Sequence, residues 1–353
     1  MLYKPKTINW AGESIKTKHY MDITEERRKS IEDQWYSVPS DDEVREQLRK
    51  IASGSTMMSK VTMKYFNRLM SMCKVAYAKW TMEELLQSKE LVGMILDKVQ
   101  GSPKTFNPSN TEIVNFKKCI QLGGKGYAGY PTQFPLKTVD MVVNKYIPNG
   151  GNWYDYSCGW GSRLLGALRN KVNYFGTDPN YLLTEKLVEM TCEYLKANGI
   201  DYYYMDECGP YEMQLVESSE GQRIEIYSTG SEKFHSRLQN EMDLCFSSPP
   251  YFNLEDYRIG EQSWKEGMSY SQWVDSYLRP TITNCYRYLK SGGHFVCNIK
   301  NFKENDMEGD VVKIADSIGL EYVEDLKLEN INRVVCTGGL HDSSEKCFSF
   351  VKS

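Results

Sequence analysis

The chain has 353 residues, enough for one large domain or two of ordinary size, and its 41% hydrophobic, 25% charged composition is that of a folded globular protein rather than a disordered or fibrous one. No apolar run approaches the length that spans a bilayer and the amino terminus lacks a signal-peptide core, so a cytoplasmic protein with no membrane partner is expected. The net charge of −4 is uneven: residues 1–110 carry 18 Lys/Arg against 14 Asp/Glu, whereas residues 111–353 carry 25 against 33.

In chain order, residues 1–24 show no period. Short helices are expected over 24–36 and 41–52, because Thr24 and Ser40 precede acidic residues that suit a helix amino end. Met58, Val61, Tyr65, Leu69, Met72 and Ala76 recur at helical spacing and predict one helix over about 56–80. Lys60, Lys64 and Arg68 fall four apart on another face of it. They belong to a stretch, 47–82, that holds seven basic residues and no acidic one. Such a stripe suits a phosphate backbone, and equally suits a solvated helix face beside the core. A further helix, 81–99, starts at Thr81 and is broken by Gly101-Ser102-Pro103. Residues 101–129 read as a linker or irregular lobe. The glycine-rich loop 123–129 lacks Walker spacing, so a hinge is the better reading than a phosphate cradle.

From about 130 the pattern alternates. Helices are expected over 135–146, 162–170, 181–198, 270–290 and 309–318. Strands are expected over 152–156, 173–177, 224–228, 243–247, 294–299, 322–328 and 346–351. That alternation argues an α/β fold with a doubly wound, mostly parallel sheet, its last two strands an antiparallel pair at the edge. The ten cysteines form no C-x-x-C pair and the four histidines show no paired ligand spacing, so reduced thiols and no metal site are expected.

Two strand ends carry chemistry. The apolar run to Ser247 is stopped by Ser248-Pro249-Pro250-Tyr251-Phe252, because proline cannot donate to a ladder. Two fixed φ angles then hold the Ser248 side chain and the Pro249 carbonyl stiffly at the sheet's carboxyl edge, where ligands of open α/β sheets sit. Rigid acceptors beside an aromatic suit a flat group bearing an NH2; a plain strand stop and turn is the alternative. The second end, Asp155-Tyr156-Ser157-Cys158-Gly159-Trp160-Gly161-Ser162, turns tightly at its glycines. Leu164 stands where a dinucleotide fingerprint needs a third glycine, and the preceding Asp155 suits a cationic ligand group. Asp178, closing the next strand, suits two ribose hydroxyls, or else caps the helix that follows. Adenosine plus an ammonium fits S-adenosylmethionine better than NAD.

These residues resemble a family. Asp155-x-x-Cys158-Gly159-x-Gly161-Ser162 is similar to the cofactor loop of the S-adenosylmethionine-dependent DNA amino-methyltransferases, and Tyr130–Pro135 to the segment preceding it. Ser248-Pro249-Pro250-Tyr251 resembles the family's catalytic tetrapeptide. The resemblance covers roughly 130–353 and implies a Rossmann-like, seven-stranded mixed sheet of the class I methyltransferase type, the last strand antiparallel. It implies catalysis by Ser248, Pro249, Pro250 and Tyr251. It implies cofactor contacts from Thr132, Phe134, Asp155, Ser157, Cys158, Gly159, Gly161, Asp178 and Ser231. Ser157 stands where the family usually has Phe or Leu, Trp160 where it has a small residue, and Gly230-Ser231 where it often has Gly-Asp. The expected organisation is then a mainly helical region, 1–125, that recognises nucleic acid, followed by a methyltransferase domain, 126–353. Lys60, Lys64 and Arg68 are its candidate DNA contacts, with Phe252 either sharing the stacking on a flipped base or simply packing. Ser248 at the tetrapeptide's first position leans towards cytosine N4 over adenine N6. An RNA base methyltransferase and an inactive nucleic-acid-binding relative are the alternatives.

Overall fold

The structure is a computed structural model and describes residues 22–76, 78–100, 107–122, 128–207, 213–326 and 346–353. Eleven strands occur among the described residues: β1 Lys74–Val75, β2 Asn152–Asp155, β3 Asn173–Thr177, β4 Tyr202–Glu207, β5 Met213–Ser218, β6 Arg223–Tyr227, β7 Met242–Ser247, β8 Glu255–Asp256, β9 Leu289–Ile299, β10 Leu320–Leu326 and β11 Lys346–Lys352. Nine of them form one sheet in the order β10-β11-β9-β7-β2-β3-β6-β5-β4, and β1 pairs with β8 separately.

Seven strands, from β10 to β6, make a mixed sheet with the antiparallel last strand that the resemblance implies. Within it β6, β3, β2, β7 and β9 run parallel to one another, and β11, the last in sequence, lies antiparallel between β9 and β10. The expected strand number of seven is corrected to nine. The hairpin β4–β5, where no strand is expected from the sequence, extends the β6 edge by antiparallel pairing.

The central strands are buried on both faces, and alternation assigns their side chains to two cores. Trp153, Leu244 and Phe246 point into one core, with helices Leu136–Tyr146, Ser162–Arg169 and Tyr181–Ala197. Tyr154 and Cys245 point into the other, with the helical run from Tyr270 to Tyr288 and helix Met307–Ser317. The expected helix 270–290 ends at Tyr288, and Ser291-Gly292-Gly293 lies inside β9. The β7–β9 register shifts there, and a Cβ on Gly293 would stand 3.1 Å from the Met242 carbonyl oxygen. The glycines thus serve a bulge and a close backbone approach.

The amino-terminal region departs further from expectation. Helices Glu25–Trp35 and Asp41–Ala52 form with the Thr24 and Ser40 caps as read, Ser40 in a reciprocal capping box with Glu43. The single helix over 56–80 does not form. Helix Ser59–Tyr65 breaks at Phe66, a second helix runs Asn67–Met72, and the chain then extends into β1. Phe66 leaves helical geometry at φ −122° and is fully buried, with its ring 6.5 Å from that of Trp160. Tertiary packing of one aromatic therefore overrides the helical period. The expected helix 81–99 likewise divides into Met82–Leu86 and Lys89–Gln100, and the expected linker 101–129 contains the helix Glu112–Leu122. The glycine-rich loop 123–129 falls, as to 123–127, outside the described residues, as do the end of the expected strand 322–328 and the whole connection 333–345.

The region 1–125 has a small core of its own, built from Ile31, Trp35, Leu85, Ile95 and Phe116 among others. Its helices over 41–72 instead share the sheet's first core through Val44, Leu48, Ile51, Val61, Tyr65 and Phe66. Phe66→Ala, which empties that wedge, is expected to lower unfolding free energy by about 3–5 kcal/mol, read by urea denaturation at constant m-value.

Candidate active site

Strands β2 and β7 are parallel neighbours, pairing Trp153 with Leu244 and Tyr154 with Cys245, so they end on the same edge of the sheet. Beyond β2 the chain turns at Gly159 (φ 54°) and Gly161 (φ 80°) and enters the helix Ser162–Arg169. A Cβ on Gly161 would meet Met190 Cε at 2.8 Å and Phe66 Cζ at 3.0 Å, so this glycine seats the loop on the core. Beyond β7 come Ser248, Pro249 and Pro250.

Hydroxyls stitch the two ends together across about ninety residues. Ser157 Oγ lies 2.8 Å from Ser247 Oγ and donates to the Ser248 carbonyl at 2.8 Å. Tyr156 Oη donates to the carbonyls of Ser247 and Val296, each at 3.2 Å. These bonds occupy Ser247 and the Ser248 carbonyl. Among the described residues, neither Ser248 Oγ nor the Pro249 carbonyl has a hydrogen-bond partner. The proline ledge therefore presents two unspent acceptors beside the glycine bend.

Asp155 lies beneath that bend, 0% exposed. Its carboxylate accepts from Arg163 Nε at 2.8 Å, Tyr174 Oη at 2.8 Å and the Ser157 amide at 3.2 Å. Arg163 also donates through Nη2 to the Ser157 carbonyl, and its guanidinium stands 5.3 Å from the Phe134 ring centroid. The cation paired with Asp155 is thus internal. Sequence reasoning passed over Arg163; its position as the second residue of the helix that the glycine bend opens was the available signal. Cys158 is buried beside this pair, and burial pushes its thiol well above the ordinary range, so it is no nucleophile.

Asp178 follows β3 on the same edge and is half-buried. Its carboxylate accepts the amides of Gly159 at 3.3 Å and Asn180 at 3.1 Å, which leaves acceptor capacity on both oxygens. Burial pushes its pKa up to about 6, against those two hydrogen bonds. It caps no helix: Asn180 holds the N-cap position of Tyr181–Ala197.

Thr132 is exposed, and Phe134 is buried edge-on to Phe246 at 5.7 Å. Ser231 lies away from any open face: its hydroxyl is 2.9 Å from Thr281 Oγ1 and its carbonyl accepts from Asn284. Pro249 is buried, Pro250 and Tyr251 are half-buried, and Tyr251 packs against the second core. Phe252 sits in a nest of Trp264, Tyr270 and Trp273 with centroids 5.7–6.4 Å away, which is the packing alternative. Lys60 and Lys64 are ion-paired with Glu43 at 2.9 Å and Asp41 at 2.8 Å, and Arg68 covers the Tyr36 ring. The acid-free stretch thus receives its counter-charges from the neighbouring helix, and a phosphate would have to displace them.

The loop after the ledge is fastened to the amino-terminal region. Strand β8 pairs with β1, and Arg258 bonds Glu84 at 2.8 Å. Tyr257 of this loop and Phe66 of the amino-terminal helices flank Trp160, with centroids at 6.0 and 6.5 Å. Trp160 is 8% exposed. No helix is long and apolar enough to cross a membrane, and no group of three or more metal-ligating side chains occurs, both among the described residues.

Residues 242–352 match the family model described as DNA methylase. The resemblance read from the sequence therefore holds over the segment from the strand β7, through the ledge, to the end of β11. No curated protein matches the chain. Similar solved structures include a TehB-like SAM-dependent methyltransferase from Corynebacterium glutamicum at 15% identity, covering 61% of this chain and 87% of that one at TM-score 0.36. Others are magnesium protoporphyrin IX methyltransferase from Synechocystis (11%, 71% and 88%, TM-score 0.37) and the N-methyltransferase NodS from Bradyrhizobium japonicum (13%, 61% and 94%, TM-score 0.36). Likenesses this weak carry no argument; the strand order and the matched segment do.

Ser157→Ala cuts the tie between bend and ledge and leaves the Ser248 carbonyl without its donor. It is expected to cost about 1–3 kcal/mol of stability, measured by chemical denaturation.

Proposed function

We propose that this chain transfers a methyl group from S-adenosylmethionine to the exocyclic amino group of a base in DNA, cytosine N4 ahead of adenine N6. The observation that supports it most is the pairing of a glycine bend with a proline ledge whose Ser248 Oγ and Pro249 carbonyl are unspent, tied to each other by Ser157. The DNA methylase match over the ledge's own segment points the same way.

The residues fit the cofactor. The space a Cβ on Gly159 would fill has just two atoms within 4 Å, Arg163 Nη2 at 3.7 Å and the Ser157 carbonyl oxygen at 3.8 Å. Asp178 beside it retains capacity to accept ribose hydroxyls. When bound, S-adenosylmethionine supplies an electrophilic sulfonium methyl. An exocyclic amine is a poor nucleophile because its lone pair is delocalised into the ring. Ser248 Oγ and the Pro249 carbonyl, accepting its two hydrogens, draw the nitrogen towards a tetrahedral, nucleophilic shape and hold it in line. No strong general base is needed, since the methylated nitrogen is acidic and releases its proton to water. The target base must leave the duplex to reach the ledge, where Tyr251 is the adjacent ring for it to stack on.

Purified protein, labelled cofactor and duplex DNA are expected to give label in N4-methylcytosine on nucleoside analysis, with Ser248→Ala, Pro249→Ala and Tyr251→Ala each slower by about 10²-fold. Equal transfer by these variants overturns the assignment. Preferential labelling of RNA in competition moves the substrate to RNA.

The raised pKa of Asp178 gives a signed expectation. The ionised carboxylate is the form that accepts hydroxyls, so affinity for S-adenosylhomocysteine is expected to fall as pH drops through about 6. Calorimetry at pH 5 against pH 7.5 is expected to show binding about tenfold weaker at the lower pH, and Asp178→Asn to abolish the dependence.

A further inference from the structure

Asp155 was expected from its sequence position to face a cationic ligand group, but the geometry reverses the sign of what that spot offers. Its carboxylate is 0% exposed and already takes three donors, one of them the Arg163 guanidinium. Arg163 is itself enclosed, its side chain 7% exposed. Nε is spent on Asp155 and Nη2 on the Ser157 carbonyl, while Nη1 has no hydrogen-bond partner among the described residues. Nη1 is not among the buried unpartnered polar atoms, so it keeps access to solvent and is the donor an incoming anion can reach. The wedge above Gly159 opens towards this group, with Arg163 Nη2 the nearest atom to a Cβ placed there. The Phe134 ring covers the guanidinium's other side at 5.3 Å and limits how far it can swing.

We infer that Arg163 takes the α-carboxylate of the cofactor's amino-acid end, and that Asp155 acts through it as a positioning residue. This inference rests on the S-adenosylmethionine reading above and names one further contact of that site. Asp155 fixes the Nε edge, so the remaining nitrogens are aimed without rearrangement. The cofactor's ammonium is left to other acceptors at the sheet edge.

The test is binding, not turnover. Isothermal titration of the full chain compares S-adenosylhomocysteine with its decarboxylated analogue, which keeps the ammonium and lacks the carboxylate. The wild type is expected to prefer the first by about 10- to 100-fold. Arg163→Lys keeps part of that preference, since a point charge replaces a fork. The double variant Asp155→Asn with Arg163→Met, which leaves no unpaired buried charge, loses it. Both variants are checked for native folding by circular dichroism, and the wild-type comparison stands by itself if either fails to fold. Equal affinity of the wild type for both ligands, or preference for the decarboxylated one, overturns this inference and leaves the methyltransferase reading in place. Binding of neither overturns both.

Discussion

The parallel pairing of β2 with β7 is the constraint from which the rest follows. Parallel neighbours end on the same edge, so two breaker sequences far apart in the chain, one of glycines and one of prolines, come to lie side by side. Each is unremarkable alone. Together they make a glycine bend and a ledge that cannot relax. Ser157 then joins them by two short hydrogen bonds, a use open to a hydroxyl and not to the Phe or Leu more usual at that position in the family resembled. The departure thus has a physical content: it supplies a direct tie between the glycine bend and the ledge.

Charge at this edge is arranged in layers. The Asp155–Arg163 pair is closed off from solvent and nearly neutral as a unit, which removes the cost of burying either alone. Asp178, half-buried where Asp155 is fully enclosed, keeps a carboxylate whose proton affinity burial has raised. The amino-terminal region bears on the same place from above. Phe66 wedges against Gly161 and Trp160, while the β1–β8 ladder and the Arg258–Glu84 pair hold the loop that follows the ledge. The region expected to recognise nucleic acid is therefore also part of the wall around the site. Its two lysines at 60 and 64 are neutralised locally.

The elements from 130 onward were legible because their signals are local. Two-residue and near-four-residue periods, glycine and proline stops, and caps such as Ser40 depend on neighbours in the chain, and strands such as Asn173–Thr177 lie where the pattern put them. The failures share one cause. The helix expected over 56–80 is interrupted because Phe66 is worth more against Gly161 and Trp160 than in a continued helical turn. The hairpin β4–β5 gave no strong alternation and is held by pairing with β6, a partner the local sequence does not name.

By itself the sequence determined the α/β alternation, the stiff Ser248–Pro250 stop, the left-handed turn at Gly159 and Gly161, and the resemblance these motifs carry, since each is written in residues that stand next to one another. Only the tertiary structure decided which charges meet. It gave Asp155 to Arg163, Lys60 and Lys64 to acids on another helix, Ser231 to Thr281 and Ser157 to the ledge. The reason is that hydrogen bonds and ion pairs act over a few ångströms of space, and closeness in space between residues dozens of positions apart is set by strand order and helix packing rather than by any local pattern.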